Sequence, residues 1–333
     1  MIESEVTMLA KEGRFLGHRI KGHIEETHIS WVILAKANVF KIKKPVKLSF
    51  LDFSTLAKRK RYCVRELRLN QRFSPIYLEV LPVHKDRDKW TIGQGSGNVV
   101  EYVVRMKRML SARRMDKLLQ RKKVSSKDIV LLANVVSSFH SGSDVVMDPF
   151  LLARAKSMFN DIRSIIRVAN DYLGDEYSEI IRKSIKWSNT FLGEHAYRIR
   201  ERIALGFKRD VHGDLHSGNI FLYKQPVLFD CIEFNDSYRR MDVINEVAFF
   251  CMDLEAYREG RLARLFLKEY QRHFDCFQNN ADRRLFMYYK CYRANVRAKV
   301  HALSIGQAHD AENYQLHINA LRTYLRLMRR YMK

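Results

Sequence analysis

The chain has 333 residues with a hydrophobic fraction of 47%, 5 prolines and 14 glycines, a composition that supports a packed core and argues against a fibrous or disordered protein. Lysine and arginine number 60 against 37 acidic residues, giving a formal net charge of +23, which favours anionic partners such as nucleic acid, phosphate esters or acidic surfaces. The five cysteines are scattered and lack a C-x-x-C pair, which argues against a disulfide framework or a zinc site. Residues 1–20 contain no apolar segment and the chain has no membrane-length apolar run, which argues against a signal peptide and a membrane span. We therefore expect a soluble cytoplasmic protein.

The first predicted elements are a β-hairpin and a long helix. Residues 29–35 are rich in β-forming side chains, residues 36–38 supply a turn, and residues 39–43 alternate apolar and basic. Pro45 ends the second strand because it cannot donate a hydrogen bond to a neighbouring strand. A helix of about 19 residues is expected to begin at Ser54.

Two more strands complete the predicted β-rich part. They cover residues 77–83 and 99–106, and the turn-rich segment 85–98 lies between them. This segment contains Gly-x-Gly-x-Gly at residues 93–97, which invites comparison with a nucleotide-binding loop. A hairpin turn is the favoured interpretation, because the segment separates two strands and follows the basic strand by roughly fifty residues. Residues 1–106 are therefore expected to form a mostly β lobe with one long helix.

The remaining residues, 107–333, are predicted to be mainly helical. Apolar residues at helical spacing predict helices over residues 128–141, 150–170 and 176–205. A short β-rich island at residues 219–222 and 227–229 follows, and from Asp242 onward the pattern is helical again. The expected architecture is a two-lobed α+β fold, with a small β-rich N-terminal lobe and a larger helical C-terminal lobe.

The most specific polar pattern surrounds the β-rich island. His212 and Asp214 lie just before it, Asn219 begins it, and Asp230 follows its second strand. Phosphoryl transfer explains this pattern, because the protein mainly positions the reactants and neutralises charge. One Asp must orient the attacking hydroxyl, while an Asn and a second Asp hold Mg²⁺ through hard oxygen ligands. Asn219 and Asp230 at adjacent strand ends can converge on one metal ion, with Asp214 in the loop that faces the acceptor.

The motif His-Gly-Asp-x-x-x-x-Asn at residues 212–219, with the apolar-Asp pair ending at Asp230, resembles the catalytic loop and metal-binding Asp of the aminoglycoside phosphotransferase/choline kinase family. Further segments resemble an uncharacterised bacterial and archaeal phosphotransferase subfamily, in the same order over most of the chain: residues 27–32, 40–46, 50–56, 66–70 and 228–235. In bacteria this module is often joined to a P-loop kinase domain. No G-x-x-x-x-G-K-[ST] occurs here, so we expect the module alone.

The resemblance implies a kinase-like fold and an ATP- and Mg²⁺-dependent enzyme that phosphorylates a hydroxyl of a small-molecule metabolite. Asp214 would be its catalytic base, and Asn219 and Asp230 would be its Mg²⁺ ligands. The adenine of ATP is expected against the linker near residues 106–109, beginning with Met106.

In this fold a strand lysine binds the α- and β-phosphates and a helix glutamate pairs with it. Glu66 fits the glutamate, since it lies in the middle of the predicted helix. Lys41 is favoured as the lysine because it directly follows an apolar pair. Lys43 lies two residues further along on the same face of the strand and stays open as the alternative.

Four more residues are candidates for substrate binding. His216 either approaches the phosphates or fills the catalytic loop, and Glu233 either assists the metal or serves as a cap or surface residue. Arg293 and Arg297 share one helix face and are candidates for binding an anionic acceptor. A solvated basic face is an equally good interpretation of the two arginines.

Two other functions remain as alternatives. A protein kinase of the same fold would need a peptide-docking activation segment, and no A-P-E follows Asp230. A basic nucleic-acid-binding protein with a decayed kinase site agrees with the net charge but is not favoured, since the expected polar groups are all present. Polycationic aminoglycosides need an acidic pocket, and acidic residues are not concentrated in the helical part. The acceptor itself stays open among sugars, amino alcohols, nucleosides and phosphorylated metabolites.

Overall fold

The computed structural model describes residues 1–48, 51–306 and 310–333. Phe50, which begins one of the family-like segments, and residues 307–309 of the predicted C-terminal helical region lie outside the described residues. The chain divides into two compact units. The first unit is Met1–Lys117 with Asn219–Tyr238, and the second unit is Leu118–Gly218 with Arg239–Lys333. The first unit therefore includes the β-rich island, which the sequence prediction gave to the helical lobe.

The first unit is built on an eight-stranded sheet, and two short strands, Lys47–Leu48 and Leu51–Asp52, form a separate two-stranded sheet. The strands are β1 (Arg14–Phe15), β2 (His18–Arg19), β3 (His23–Glu26), β4 (Ser30–Leu34), β5 (Asn38–Lys43), β6 (Lys47–Leu48), β7 (Leu51–Asp52), β8 (Tyr77–Asp86), β9 (Lys89–Ile92) and β10 (Asn98–Lys107). The order in the large sheet is β2-β1-β9-β8-β10-β5-β4-β3, and β6 pairs with β7. Only the β1–β9 pair of the large sheet is parallel among the described strands.

The predicted hairpin is confirmed as β4 and β5, which pair so that Val32 lies opposite Lys41. Side chains alternate between the two faces of a strand. Phe40 and Ile42 accordingly enter an apolar core on one face, which leaves Lys41 and Lys43 together on the other face.

Two helices pack on this sheet, whereas the sequence predicted one: α1 (Glu3–Glu12) and α2 (Leu56–Gln71). The unpredicted helix α1 buries Val6 and Leu9 in the same core as Phe40 and Ile42. The predicted helix is confirmed as α2, but its N-cap is Thr55, whose side chain accepts a hydrogen bond from the Lys58 amide. The buried residues of α2 recur at spacings of three and four and so share one face of the helix: Arg59, Cys63, Glu66 and Asn70.

The segment at residues 85–98 differs from its prediction. It contains strand β9, and β9 and β10 lie on opposite sides of β8. The glycines at residues 93–97 therefore cross the end of β8 and do not form a hairpin turn between neighbouring strands. Gly97 has φ +89°, and a Cβ there would lie 2.4 Å from the carbonyl oxygen of Lys85. This glycine is thus required by the backbone path of the connection.

The second unit is mainly helical, as predicted. The helices that follow α2 in the chain are α3 (Met115–Gln120), α4 (Ser126–Gly142), α5 (Leu152–Asn160), α6 (Ile166–Leu173), α7 (Asp175–Ala204), α8 (Val243–Ala256), α9 (Gly260–His273), α10 (Asn280–Ile305) and α11 (Ala311–Tyr331). The helix predicted over residues 150–170 is divided into α5 and α6 by a 3₁₀ turn at Asp161–Ile165. No helix in the described part of the chain has both the length and the apolar character needed to cross a bilayer.

Four short strands remain: β12 (Ile220–Phe221) and β13 (Val227–Leu228) belong to the first unit, and β11 (Lys208–Asp210) and β14 (Arg240–Asp242) belong to the second unit. The predicted β-rich island is confirmed as the hairpin β12–β13, in which Ile220 lies opposite Leu228. In the second unit, β11 pairs with β14, and these two strands precede and follow residues 211–239 in the chain.

Candidate functional site

Lys41 lies between two carboxylates of the first unit. Its Nζ donates to Oε1 of Glu66 at 2.8 Å and to Oδ1 of Asp230 at 2.6 Å. The Lys41 side chain is 11% exposed and that of Asp230 is 44% exposed, so this pair reaches the surface of the unit. Burial lowers the pKa of Lys41, but the negative charges of Asp230 and Glu66 outweigh it and hold the pKa well above its ordinary value. Lys41 is therefore a fixed cation beside a partly exposed carboxylate.

Lys43 lies deeper than Lys41, and its side chain has no exposed surface. Its Nζ donates to Oε2 of Glu66 at 2.8 Å and to Oε1 of Glu233. Glu66 therefore binds both lysines of β5, with one carboxylate oxygen for each. Burial lowers the pKa of Lys43 as well, but Glu233 and Glu66 raise it above its ordinary value.

The pKa values of the two glutamates in this cluster, Glu66 and Glu233, are shifted in opposite directions. Burial raises the pKa of Glu66, but the charges of Lys41 and Lys43 outweigh it, so the pKa lies below its ordinary value. The pKa of Glu233 lies above its ordinary value, because burial and the neighbouring charge of Glu66 outweigh the attraction of Lys43. The side chain of Glu233 is only 4% exposed, so its interpretation as a surface residue is wrong. Of the two partners of Glu66, only Lys41 keeps an accessible surface.

Asp230 has a left-handed backbone conformation with φ +63°. This conformation is uncommon for residues other than glycine and often occurs at functional sites. The amide of Asp230 donates to the Tyr77 hydroxyl at 3.0 Å, and the amide of Cys231 donates to Oδ1 of Asn70 at 3.0 Å. Asn70 in turn donates to the carbonyl of Glu66 at 2.9 Å. Tyr77 and Asn70 thus fix the strained segment, and sequence reasoning missed both of them, although Asn70 lies one turn after Glu66 on the same helix face.

Asn219 and Asp230 flank the same end of the β12–β13 hairpin. Asn219 directly precedes β12, and the Phe229 amide donates to the Asn219 carbonyl at 3.1 Å. Asp230, the residue after Phe229, therefore follows the end of the hairpin that lies next to Asn219. Their amide and carboxylate oxygens are hard ligands of the kind that Mg²⁺ takes together with phosphate oxygens and water. No group of three His, Cys, Asp or Glu side chains suited to a metal occurs among the described residues. One amide and one carboxylate fit a cation such as Mg²⁺, which is usually bound through one or two carboxylates together with phosphate oxygens and water.

Asp214 lies in a loop of the second unit that helix α8 fixes at both ends. At one end, the amides of His212 and Gly213 donate to the carboxylate of Glu246. At the other end, the Ser217 amide donates to Oδ2 of Asp253 at 2.8 Å. Glu246 and Asp253 are seven residues apart, which places them on one face of α8 two turns from each other. Neither was identified as a functional residue from the sequence.

The Asp214 side chain is 38% exposed, and Nε2 of His216 lies 3.4 Å from its Oδ2. Burial raises the pKa of Asp214, but the charge and hydrogen bond of His216, followed by the charge of Arg297, hold the pKa below its ordinary value. Asp214 is therefore a carboxylate at neutral pH. His216 contacts this carboxylate, and its Nδ1 accepts a hydrogen bond from the Gly218 amide at 3.0 Å, so both contacts lie within the loop and its approach to the phosphates stays a prediction.

Arg293 is buried in the second unit and is 6% exposed. Its Nε donates to Oδ1 of Asn245 at 2.7 Å and its Nη1 donates to the carbonyl of Gly213 at 3.3 Å. The guanidinium also lies over the ring of Phe249, 4.7 Å from the centroid. The interpretation of this helix face as a solvated basic surface is therefore wrong for Arg293, which supports the loop that carries Asp214. Arg297, one turn further along α10, is only partly buried.

Met106 lies near the end of β10, where it pairs with Val39 on one side and Tyr77 on the other. Its side chain belongs to an apolar cluster of the first unit that includes Val39, Val104 and Val227. This places an apolar wall around Met106, and its contact with adenine stays a prediction.

The α+β fold of this chain is similar to that of two solved proteins named as choline-kinase-type. A choline/ethanolamine kinase family protein from Mesorhizobium loti superposes with a TM-score of 0.54 at 14% identity, over 100% of this chain and 98% of that one. Choline kinase from Cryptosporidium parvum superposes with a TM-score of 0.55 at 13% identity, over 98% and 96%. These comparisons confirm the kinase-like fold that the sequence resemblance implies.

The particular relatives in sequence are mycobacterial. Uncharacterised proteins of Mycobacterium tuberculosis and Mycobacterium bovis are 30% identical to this chain over 290 residues, which is 85% of this chain and 55% of each relative. The chain thus spans about half the length of the curated relatives that it matches. No protein-family profile matches the sequence.

Proposed function

We propose that the protein is an ATP- and Mg²⁺-dependent phosphotransferase that phosphorylates a hydroxyl group of a small molecule. The observation that carries the proposal is the contact of Lys41 with both Glu66 and Asp230. Kinase-like enzymes use a lysine held by a helix glutamate to bind the nucleotide phosphates, next to an aspartate that binds the metal. The names of the two structural neighbours, both choline-kinase-type proteins, support the same class of reaction.

Asn219 and Asp230 are the residues that would hold Mg²⁺. Bound there, Mg²⁺ would neutralise negative charge on the phosphates of ATP. Lys41 would donate to phosphate oxygens, and Glu66 would keep its ammonium group in place while ATP enters and ADP leaves. Lys41 is the better candidate of the two lysines because its side chain has exposed surface, whereas the Lys43 side chain has none and is paired with Glu66 and Glu233.

Asp214 would accept the hydrogen bond of the acceptor hydroxyl and orient its oxygen for in-line attack. The new O–P bond forms to the acceptor oxygen as the bond between the γ-phosphorus and its bridging oxygen breaks, and ADP leaves. The hydroxyl proton passes to Asp214 and from there to water. The depressed pKa of Asp214 suits an orienting role, since a loose transition state needs little proton removal before the phosphoryl group transfers.

The proposal is tested by following ADP release against a panel of sugars, amino alcohols, nucleosides and phosphorylated metabolites, with calorimetry of Mg²⁺-ATP binding alongside. We expect Asp214→Ala to abolish transfer while Mg²⁺-ATP still binds. Full transfer by this variant would remove Asp214 from the mechanism. Salt-dependent RNA or DNA binding by a protein that binds no Mg²⁺-ATP would overturn the proposed function in favour of a decayed kinase site.

A further inference from the structure

Arg297 of the second unit has an environment unlike that of Arg293, one turn earlier on α10. Its Nε is buried and has no hydrogen-bond partner among the described residues. Buried N–H groups are nearly always paired, so an unpaired one points to a partner that completes the site. Burial lowers the pKa of Arg297, but the charges of Tyr324, Asp253 and Asp214 and a hydrogen bond to Tyr324 raise it above its ordinary value, although no described carboxylate lies within ion-pair distance. Its guanidinium is therefore a cation whose hydrogen-bonding capacity the protein leaves partly unused.

Two histidines continue from Arg297 along the facing helices. Nη2 of Arg297 lies 3.3 Å from Nε2 of His301, and Nδ1 of His301 lies 3.0 Å from Nδ1 of His317 on α11. Tyr324 of α11 stacks on the His301 ring, with the two planes 17° apart. Arg297, His301 and His317, which we call the Arg-His cluster, thus form one row from α10 to α11.

The direction of the hydrogen bonds in the Arg-His cluster follows from the chemistry of Arg297. A guanidinium has only donors, so Nε2 of His301 is the acceptor and Nδ1 of His301 carries the proton. This proton is donated to Nδ1 of His317. Burial, followed by the charge of Arg297, lowers the pKa of His301 to about 3, which agrees with a neutral ring. Within the contact between Arg297 and His301, the positive charge therefore lies on Arg297.

The Arg-His cluster interacts electrostatically with the residues around Asp214 in the second unit. Arg297 contributes to the lowered pKa of Asp214, and His216, which contacts Asp214, contributes to the lowered pKa of His301. A cationic acceptor would meet the charge of Arg297 beside the carboxylate that should orient it. An anionic group would instead gain charge-assisted hydrogen bonds from Arg297.

We propose that Arg297, with His301 and His317, forms a subsite that binds a phosphate or carboxylate group of the acceptor. The acceptor is then a hydroxyl compound that carries a negative charge. The part of this inference that concerns the acceptor rests on the proposed function. Anion binding at the subsite does not depend on whether transfer occurs. The guanidinium binds the anion directly, while His301 fixes its orientation and His317 supports His301.

The test compares acceptors that differ only in the anionic group: serine with ethanolamine for a carboxylate, and glycerol 3-phosphate with glycerol for a phosphate. We expect kcat/KM for the anionic member of at least one pair to be about tenfold higher or more, and the responding pair identifies the anion. Arg297→Gln should reduce this preference to near unity, mainly through KM. Arg297→Lys should retain part of it, and Arg329→Gln, which removes an exposed charge of α11, should retain all of it.

A binding measurement keeps the proposal testable if none of these compounds is turned over. Inorganic phosphate and acetate are titrated into protein saturated with Mg²⁺-ADP, so that the nucleotide site is filled. Weaker anion binding to Arg297→Gln than to the parent protein supports the subsite. If Arg297→Gln does not fold, His317→Gln is used in its place. Equal binding to all variants, or equal kcat/KM within both pairs, overturns the anion subsite while the phosphotransferase proposal stands. Absence of Mg²⁺-ATP binding overturns the proposed function instead.

Discussion

Lys43 donates to Glu233 in the interior of the first unit, and the two residues lie 190 positions apart in the chain. With Lys41, Glu66 and Asp230 they form a group of two cations and three carboxylates, in which each lysine contacts two carboxylates. In the proposed function, Asp230, the exposed member of the group, would exchange its lysine contact for the metal. Lys43 and Glu233 cannot do so while they remain enclosed. The group thus separates an accessible pair suited to ligand binding from an enclosed pair that holds the segment after Asp230 to β5.

The two lysines should respond differently to the same substitution. Lys41→Met should lower transfer by about 10²-fold or more, because it removes the cation that binds the phosphates. Lys43→Met should lower the free energy of unfolding by about 3–5 kcal/mol, because Glu233 and Glu66 lose a buried partner. Urea denaturation and ADP-release kinetics on both variants check this contrast. The opposite pattern, with Lys43→Met stable but inactive, would assign the phosphates to Lys43.

The Lys43–Glu233 pair should show strong coupling in a double-mutant cycle. Glu233→Met alone leaves Lys43 with an excess of positive charge, and Lys43→Met alone leaves buried carboxylates unpaired. The combined variant removes one charge of each sign and fills the space with apolar atoms, so it should recover more than half of the stability lost in the worse single variant. The unfolding free energies of the four proteins give the coupling, and strictly additive losses would show that the contact contributes nothing of its own.

Tyr77→Phe should test whether the left-handed conformation of Asp230 depends on the Tyr77 hydroxyl. The change removes the acceptor of the Asp230 amide and leaves that N–H without its partner, at an expected loss of about 1–3 kcal/mol. We expect the Mg²⁺ concentration for half-maximal activity to rise, with the KM of the acceptor unchanged. A structural role alone would lower stability without moving the Mg²⁺ dependence, so the titration with Mg²⁺ decides between the two.

Glu246→Gln should affect transfer without affecting nucleotide binding. The change weakens the charge-assisted bonds from the His212 and Gly213 amides, which fix the loop before Asp214. We expect kcat to fall by roughly tenfold or more, while calorimetry shows the Mg²⁺-ATP affinity of the parent protein. Glu255→Gln on the same helix is a matched control, because Glu255 pairs with Lys290 and Tyr331 and has no described contact with the loop. A lower Mg²⁺-ATP affinity in Glu246→Gln would contradict the separation of roles.

Glu66 should make the first unit sensitive to acid. Its pKa lies below the ordinary value of 4.5 in the folded protein, so its contribution to stability is present above about pH 4.5 and is lost as the pH falls toward the folded pKa. Glu66→Gln should lack this contribution at every pH and therefore show a smaller loss of stability between about pH 5 and pH 3. Urea midpoints of both proteins across this range provide the measurement, and parallel curves would show that Glu66 is not the responsible group.

Local patterns in the sequence account for the elements that carry the site. The hairpin with Lys41 and Lys43 follows from a two-residue alternation, and α2 with Glu66 follows from helical spacing and the turn residues before it. Helix α1 and strand β9 were missed, because both are short and neither has a distinct pattern of its own. The sequence correctly placed the glycines at residues 93–97 between two strands, but the predicted hairpin turn was wrong. The strands that they join, β9 and β10, lie on opposite sides of β8, and the order of strands in a sheet is not encoded next to the turn.

The sequence by itself determined which residue types the chain brings to the proposed phosphoryl transfer, namely Asp214, Asn219 and Asp230, because their spacing is local and nearly independent of packing. Only the tertiary structure decided that Lys43 is enclosed while Lys41 stays accessible, that Glu233 is a buried partner, and that Arg293 is interior whereas Arg297 has an unpaired N–H. Whether these side chains are buried and paired depends on which distant segments pack around them and hydrogen-bond to them. Burial and pairing of charges arise from contacts between residues far apart in the chain, which no local pattern specifies.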